Sequence, residues 1–230
     1  MPPTTPPSPS RRERPAKPAL TYEGIVATAV RLMAEEGLGR VTMRRLAREL
    51  DTGPASLYVY VANTEALHAA ILEQLLGEVD LRPAAEAGEW RERLVTVLVS
   101  YTEVLFRHPS LARAALVARP AGRNYLALLE ALLALLDEGG VPAPQAAWGV
   151  DVLLQVATAT AAEHSAGGRP EGGAEEWEAL VAALREVDPA GHPRLTALGG
   201  DLLSGAPRTR LAWYFRVLAN GILHTPRADG

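Results

Sequence analysis

The 230-residue sequence contains no cysteine, only one lysine (Lys17) and only two phenylalanines. The absence of cysteine excludes disulfides, thiolate metal sites and cysteine nucleophiles, and a reducing cytoplasm is the expected compartment. No run of eighteen uncharged apolar residues occurs, and the first residues are Pro-rich and charged, so neither a membrane span nor a secretory signal is expected. Strand alternation is nowhere sustained, which leaves an all-α reading. Catalytic signatures are missing too: there is no zinc-binding His-Glu-x-x-His helix, no Gly-x-Ser-x-Gly elbow and no phosphate-cradling glycine loop. The histidines at 68, 108, 164, 192 and 224 are scattered, none at metal-ligand spacing from another. The expectation is therefore a non-enzyme without metal or cofactor. What is present is 48 % apolar and 22 % charged residues, enough to bury the core of one or two globular domains.

Net charge is −4, but it is unevenly spread. Residues 1–64 carry nine basic and six acidic side chains, and the remainder fourteen and twenty-one. The basic end is where an anionic partner such as nucleic acid is to be sought. Residues 1–18 hold seven prolines together with Arg11, Arg12, Arg14 and Lys17, a composition unable to offset the entropy of ordering. This reads as a disordered arm, either a solvated tail or a segment that lies along phosphates or in a minor groove.

From Thr21 the pattern is helical. Ile25, Ala29, Leu32 and Met33 share a face, Thr21 can cap the start and Gly37 suits the C-terminal position, giving a helix at about 22–36. Thr42 caps a second helix at about 43–50, with Val41 and Leu46 placed as a hydrophobic staple. Asp51-Thr52-Gly53 is a tight turn, and Pro54 opens a short third helix at about 54–60. Asn63 caps a fourth that runs through Leu67, Ile71, Leu75 and Val79. After a Pro/Gly-bearing linker at 82–88, further helices are expected near 90–107, 110–118, 123–138, 144–165, 175–187 and 205–223, with a mobile glycine-rich loop at 167–173.

Two short helices joined by a tight turn containing Gly form either an ordinary αα-hairpin or a helix-turn-helix whose second helix enters the DNA major groove. Leu57 and Val61 should face inward, leaving Ala55, Ser56, Tyr58 and Tyr60 outward or flanking. Hydroxyls and small apolar groups can meet base edges and a tyrosine can reach phosphate, while Arg44 and Arg45 supply guanidinium forks for guanine or phosphate.

The string from Leu20 to Leu76 resembles the DNA-binding domain of the tetracycline-repressor (TetR/AcrR) family. The carriers are Ala29, Leu32 and Gly37, the run Val41 to Leu50, the run Thr52 to Val61, and Asn63 to Leu67. The resemblance implies that the third helix reads the major groove, with contacts from Ser56, Tyr58 and Tyr60. It makes Arg44 a base reader and Thr42 a cap and phosphate contact; Arg45, Thr52, Pro54, Ala55 and Thr64 complete the implied DNA-facing set. Many relatives carry a phosphate-binding Lys where this chain has Thr64, so one charge is lost there. The implied division is an arm at 1–18, a helix-turn-helix domain at 19–66 whose fourth helix continues to about 80, and a larger regulatory and dimerisation domain at 81–230. The implied partners are a double-stranded, pseudo-palindromic operator, a small-molecule effector and a second copy of the chain, with repression as the usual mode. A helical protein-binding adaptor and a small helical enzyme are the alternatives.

In the second domain Trp90, His108-Pro109, Arg119-Pro120, Tyr125 and Leu129 to Gly139 resemble the tetracycline-repressor type. That resemblance assigns the helices at 144–165 and 205–223 to a dimeric four-helix bundle. Ala157, Ala159, Ala161 and Ala162 would permit close approach, and Leu211, Phe215, Leu218 and Ile222 stand at seam spacing. Tyr101, Phe106, Trp148, Asp151, Gln155 and His164 are large or polar groups in otherwise Leu/Ala/Val-rich helices and are candidate pocket residues, each with ordinary core or surface duty as the alternative. The positions that tetracycline repressors use for drug and metal fall on Val97, Ala115, Ala118 and Ala131, none of which can bind Mg²⁺. A more apolar, metal-free effector is expected.

Overall fold

The computed structural model describes residues 19–118, 120–167 and 173–227, with side chains for all of these except 164–167 and 173–174. The expected arm at 1–18, the 168–172 part of the glycine-rich loop and the side chain of His164 lie outside the described residues. Among the described residues every regular element is helical, and no helix is long and apolar enough to cross a membrane.

The N-terminal head consists of α1 (Tyr22–Glu36), α2 (Met43–Glu49) and α3 (Pro54–Leu57), backed by α4 (Thr64–Leu76). Each longer helix begins at a side chain that satisfies an orphan backbone donor: Thr21 accepts from Gly24 N at 3.1 Å, Thr42 from Arg45 N at 3.2 Å and Asn63 from Ala66 N at 2.7 Å. Ile25, Ala29, Leu32, Leu46, Leu57, Leu67 and Ile71 are fully buried and join the four helices, in a core that continues without a break into the body. Val41 and Leu46 are both buried, as the staple requires.

The turn between α2 and α3 differs from the sequence expectation in its mechanics. The left-handed residue is Asp51 (φ 48°), whereas Gly53 is extended at φ −83°. An aspartate tolerates this region better than most side chains do. α3 is also shorter than expected. After Leu57 the chain tightens, with Tyr60 N and Val61 N both donating to the Leu57 carbonyl, so Tyr58 to Tyr60 form a turn and not a further α-helical stretch.

The body contains α5 (Trp90–Phe106), α6 (Pro109–Ala115), α7 (Arg123–Glu138), α8 (Ala143–Gly167), α9 (Gly173–Arg185), α10 (Pro193–Leu203) and α11 (Pro207–His224). α5 is central and packs on α6, α7, α8 and α11. It is buried on more than one face, through Leu94, Val97, Leu98, Tyr101, Val104 and Leu105. α10 was missed by the sequence reading because Gly199-Gly200 in its middle and Gly191 before it read as loop, and none of its residues is buried. α4 belongs to both halves, since it packs against α1 on one side and α7 and α6 on the other.

Candidate DNA interface and effector cavity

On the outer surface of the head, the α2–α3 turn region presents Ala55, Ser56, Tyr58 and Tyr60 to solvent, while Leu57 and Val61 anchor it from inside. Tyr58 is 54 % exposed. Val59, which the sequence reading passed over, is 81 % exposed and offers methyl groups that suit a thymine. The Tyr60 hydroxyl donates to the Leu20 carbonyl at 2.8 Å, tying the turn after α3 to the entrance of α1. Thr52 donates its backbone N–H to Ala47, and Pro54 opens α3. Thr64 is the first residue of α4, half-buried beside its cap Asn63.

The arginines divide into two groups. Arg45 is held by Glu36, with Nη2 to Oε1 at 2.5 Å, and by Glu49, with Nη1 to Oε2 at 2.8 Å. Arg31 bridges Glu35 at 3.2 Å and Glu49 at 2.5 Å. The guanidinium partners hold Glu36 and Glu49 below the usual carboxylate range, and Arg45 is shifted further up by its hydrogen bonds to both acids. Arg45 therefore braces α2 against α1, a role its sequence spacing did not reveal. Arg44, by contrast, has no hydrogen-bonded carboxylate among the described residues, and neither do Arg40 or Arg48. These three, with Gly39, Thr42 and Arg45, line a notch of about 220 Å³. Three exposed guanidinium groups without a hydrogen-bonded carboxylate surround this concavity, although Arg40 stands near enough to Glu36 to help hold it ionised, and such an array favours an anion. Arg40 and Arg48 were not singled out from sequence; Arg48, four residues after Arg44 on the same helix, had spacing as a signal, whereas Arg40 lies before the Thr42 cap and had none.

In the body, a cavity of about 270 Å³ opens between α4, α5, α6, α7 and α8. One wall is apolar: Leu72 and Leu76 from α4, Ala115 and Leu116 from the α6 end, then Ala118 and Pro120. The other wall is polar. The Tyr101 hydroxyl lies 2.7 Å from the Thr158 hydroxyl, which donates to the Leu154 carbonyl, and Gln155 Nε2 donates to Asp151 Oδ2 at 3.2 Å. Asp151 is the one charged side chain among the described lining residues. Tyr101, Asp151 and Gln155 thus come together here, because positions 151, 155 and 158 share one face of α8.

The structure does not bring the other candidates to this cavity. Phe106 lines a separate one of about 280 Å³ with Val99, Glu103, Thr160 and the start of α11. Trp148 is 58 % exposed and sits on the outer face of α8 with the Arg227 guanidinium 4.1 Å above its ring. Thr158, Tyr125 and Leu76 are lining residues the sequence reading missed; each carries an ordinary core or helix pattern and gives no local signal.

The helices assigned to the bundle, α8 and α11, do pack together; of the expected seam residues, Leu218 and Ile222 border the outer groove with Trp148, Val152 and Val217, and the rest face inward. Ala157, Ala161, Ala162, Leu211 and Phe215 are buried within the protomer, Ala159 lines the cavity, and Leu218 and Ile222 are half-buried. The apolar stripe left outside consists of Trp148 and Val152 on α8 with Trp213 and Val217 on α11. The two helices approach closely at Gly149, where a Cβ would stand 2.7 Å from Ile222.

Residues 25–71 match the family described as bacterial regulatory proteins of the tetR family, and residues 82–203 match the tetracyclin repressor-like C-terminal domain. A helix-turn-helix transcriptional regulator of Saccharopolyspora erythraea is 32 % identical over 84 % of this chain and 82 % of its own length. Among crystal structures, a transcription regulator of Streptomyces coelicolor is similar with a TM-score of 0.76 and 56 % identity, covering 93 % of this chain and all of its own. The Streptomyces coelicolor protein ActR, in complex with actinorhodin, is similar with a TM-score of 0.80 and 33 % identity over 90 % of this chain and 96 % of its own.

Proposed function

Because this chain belongs to the tetR family of bacterial transcriptional regulators, whose members are ligand-responsive DNA-binding proteins, we propose that it is a cytoplasmic repressor with no catalytic step of its own. In this reading, residues 19–66, with α4 ending at Leu76 where Gly77 caps it and not at about residue 80 as expected, grip an operator, and residues 81–230 sense a small molecule and dimerise. Two copies present two heads about 34–36 Å apart to a pseudo-palindromic site. Trp148, Val152, Trp213 and Val217 supply the apolar stripe that a second copy covers. Ser56 and Val59 face the bases, the Tyr58 hydroxyl reaches phosphate, Arg44 reads one base pair, and Arg40, Arg48 and Thr42 take phosphates around the notch.

The observation that carries this reading is the double use of α4. The helix that starts directly behind the α2–α3 unit also supplies Leu72 and Leu76 to the cavity wall, so a molecule in the cavity bears on the element that aims the head. The wall chemistry describes that molecule. It has an apolar face for the α4 and α6 wall and, along one edge, hydrogen-bond donors for the Asp151 carboxylate, with further polar groups for Gln155 and Tyr101. ActR holds actinorhodin in a structure of the same fold, and the walls here suit a metal-free organic molecule with one apolar face and one polar edge. Ala115 and Ala118 offer nothing to a metal–drug complex at the wall where they stand.

The test is selection of genomic fragments by the purified protein, followed by titration of the protein–fragment complex with actinorhodin and with tetracycline plus Mg²⁺. The expected result is a pseudo-palindromic site released by actinorhodin without added metal and indifferent to tetracycline. Failure to select any sequence, or Mg²⁺-dependent release by micromolar tetracycline, overturns the reading.

A further inference from the structure

Helix α7 begins at Arg123, and its cap residue Gly122 has no side chain with which to satisfy the first backbone donors. The missing cap comes from another helix. Glu73, on α4, accepts from Asn124 N at 2.7 Å through one carboxylate oxygen and from Tyr125 N at 3.2 Å through the other. The Asn124 side-chain amide answers by donating to the Glu73 carbonyl at 2.8 Å. A negative carboxylate at the positive end of a 16-residue helix is favoured by the aligned peptide dipoles as well. The joint is also tightly fitted: a Cβ on Gly122 would run into the Glu73 carboxyl group, and one on Gly77 would stand 3.1 Å from the Asn124 side chain.

The position of this joint gives it meaning. Tyr125, whose N–H is bound by Glu73, lines the effector cavity, and so does Leu72, the residue before Glu73. The same cavity therefore touches both halves of one reciprocal clamp, and α4 leads from that clamp to the DNA-binding head. We propose that Glu73 is the residue that transmits occupancy of the cavity to the head: a molecule that displaces Tyr125 moves the first turn of α7, and Glu73 carries the movement into α4. Glu73 touches neither DNA nor effector in this mechanism and is a positioning residue. The proposal rests on the regulator reading above, in which a filled cavity weakens operator binding.

A double-mutant cycle in the full-length chain tests it without a known effector. Ala115→Phe fills the cavity from the apolar wall, and affinity for the selected operator fragment is measured with and without it, in the parent and in Glu73→Ala. In the parent, filling the cavity weakens operator binding by about 5- to 150-fold, the usual range for coupled sites. In Glu73→Ala the same filling has nearly no effect, and Glu73→Gln, which keeps an acceptor but not the charge, gives an intermediate ratio. A purely structural Glu73 would lower the melting temperature yet leave the ratio unchanged, and equal ratios in all three backgrounds overturn the proposal. If Ala115→Phe has no effect in the parent, the regulator reading itself fails and the clamp with it. Should Glu73→Ala not fold, Glu73→Gln decides on the same criterion.

Discussion

The head and the cavity handle charge in opposite ways. Between Tyr22 and Val61 stand five arginines and five acids. Two of the arginines, Arg31 and Arg45, are tied to glutamates across α1 and α2, and three, Arg40, Arg44 and Arg48, are left for the solvent side. The cavity walls carry a single carboxylate among hydroxyls, an amide and aliphatic carbons. A surface that meets a polyanion needs charge held in a fixed array, and the internal ion pairs provide the fixing. A cavity that takes a small organic molecule needs shape and a few oriented polar groups. Removing a charge from the head should therefore alter DNA binding without unfolding it, whereas the cavity should tolerate little change of volume.

The largest contrast comes from core truncation. Leu46→Ala in the head and Leu132→Ala in the body each delete a fully buried side chain and should cost about 2–5 kcal/mol. The consequences differ: Leu46→Ala melts residues 22–61 selectively, seen by hydrogen exchange as lost protection there while α5, α7 and α8 stay protected. Leu132→Ala lowers the main thermal transition. Uniform loss of protection in both variants would break the division between the two regions.

Contact by contact, the head sorts next. Arg44→Ala should cost about 1–3 kcal/mol of operator binding and relax preference at one base pair, while Arg40→Ala or Arg48→Ala weakens all sequences alike and lowers the salt dependence by about one charge each. An Arg44→Ala variant with unchanged sequence preference would remove it as a base reader. Tyr60→Phe deletes the hydrogen bond to the Leu20 carbonyl and should destabilise the head by about 0.5–1.5 kcal/mol, with sequence preference intact. Tyr58→Phe should instead weaken binding at all sequences without affecting thermal stability.

The smallest effect is a difference in acid response. Burial lowers His68 and His108 below the ordinary imidazole value of 6.5, so each folded group binds its proton later than the unfolded one. Their stability is complete above that value and is lost as pH falls below it. Glu36 and Glu49 are lowered from 4.5 by their arginines, so the stability they confer persists until pH drops below that carboxylate value. Mild acid should therefore loosen α4 and the α5–α6 corner before the α1–α2 brace gives way, in histidine-resolved NMR titration. Because the brace is exposed, salt should weaken it further. Simultaneous loss of both regions above pH 5 would contradict this ordering.

The head was legible because its information is local. Thr21, Thr42 and Asn63 announce three helix starts within a few residues of what they cap, and the inward and outward sides of α2 and α3 follow from spacing alone. What was not legible depended on partners far away in the chain. Nothing near Arg45 tells whether it meets DNA or Glu36, and nothing near Glu73 points to Asn124, some fifty residues on. The cavity was half-legible for the same reason. Periodicity groups Asp151 with Gln155, but only the packing of α8 against α5 separates Tyr101 from Phe106 and leaves Trp148 outside. The bundle face was partly legible: Leu218 and Ile222 do border the outer groove with Val217, but α11 presents apolar residues on two sides, and sequence could not say that Leu211 and Phe215 belong to the protomer core.

The absence of native cysteine allows the central claim, that the cavity sets the aim of the heads, to be measured directly. A single label at exposed Ala62→Cys, beside the start of α4, reports the distance between the two heads of the homodimer by pulsed electron spin resonance. With the selected operator bound, the distribution should narrow to the separation that fits successive major grooves; with the cavity filled by Ala115→Phe, it should move away from that separation and the operator should no longer restore it at the same protein concentration. Identical distributions in the two proteins, with and without operator, would contradict the account.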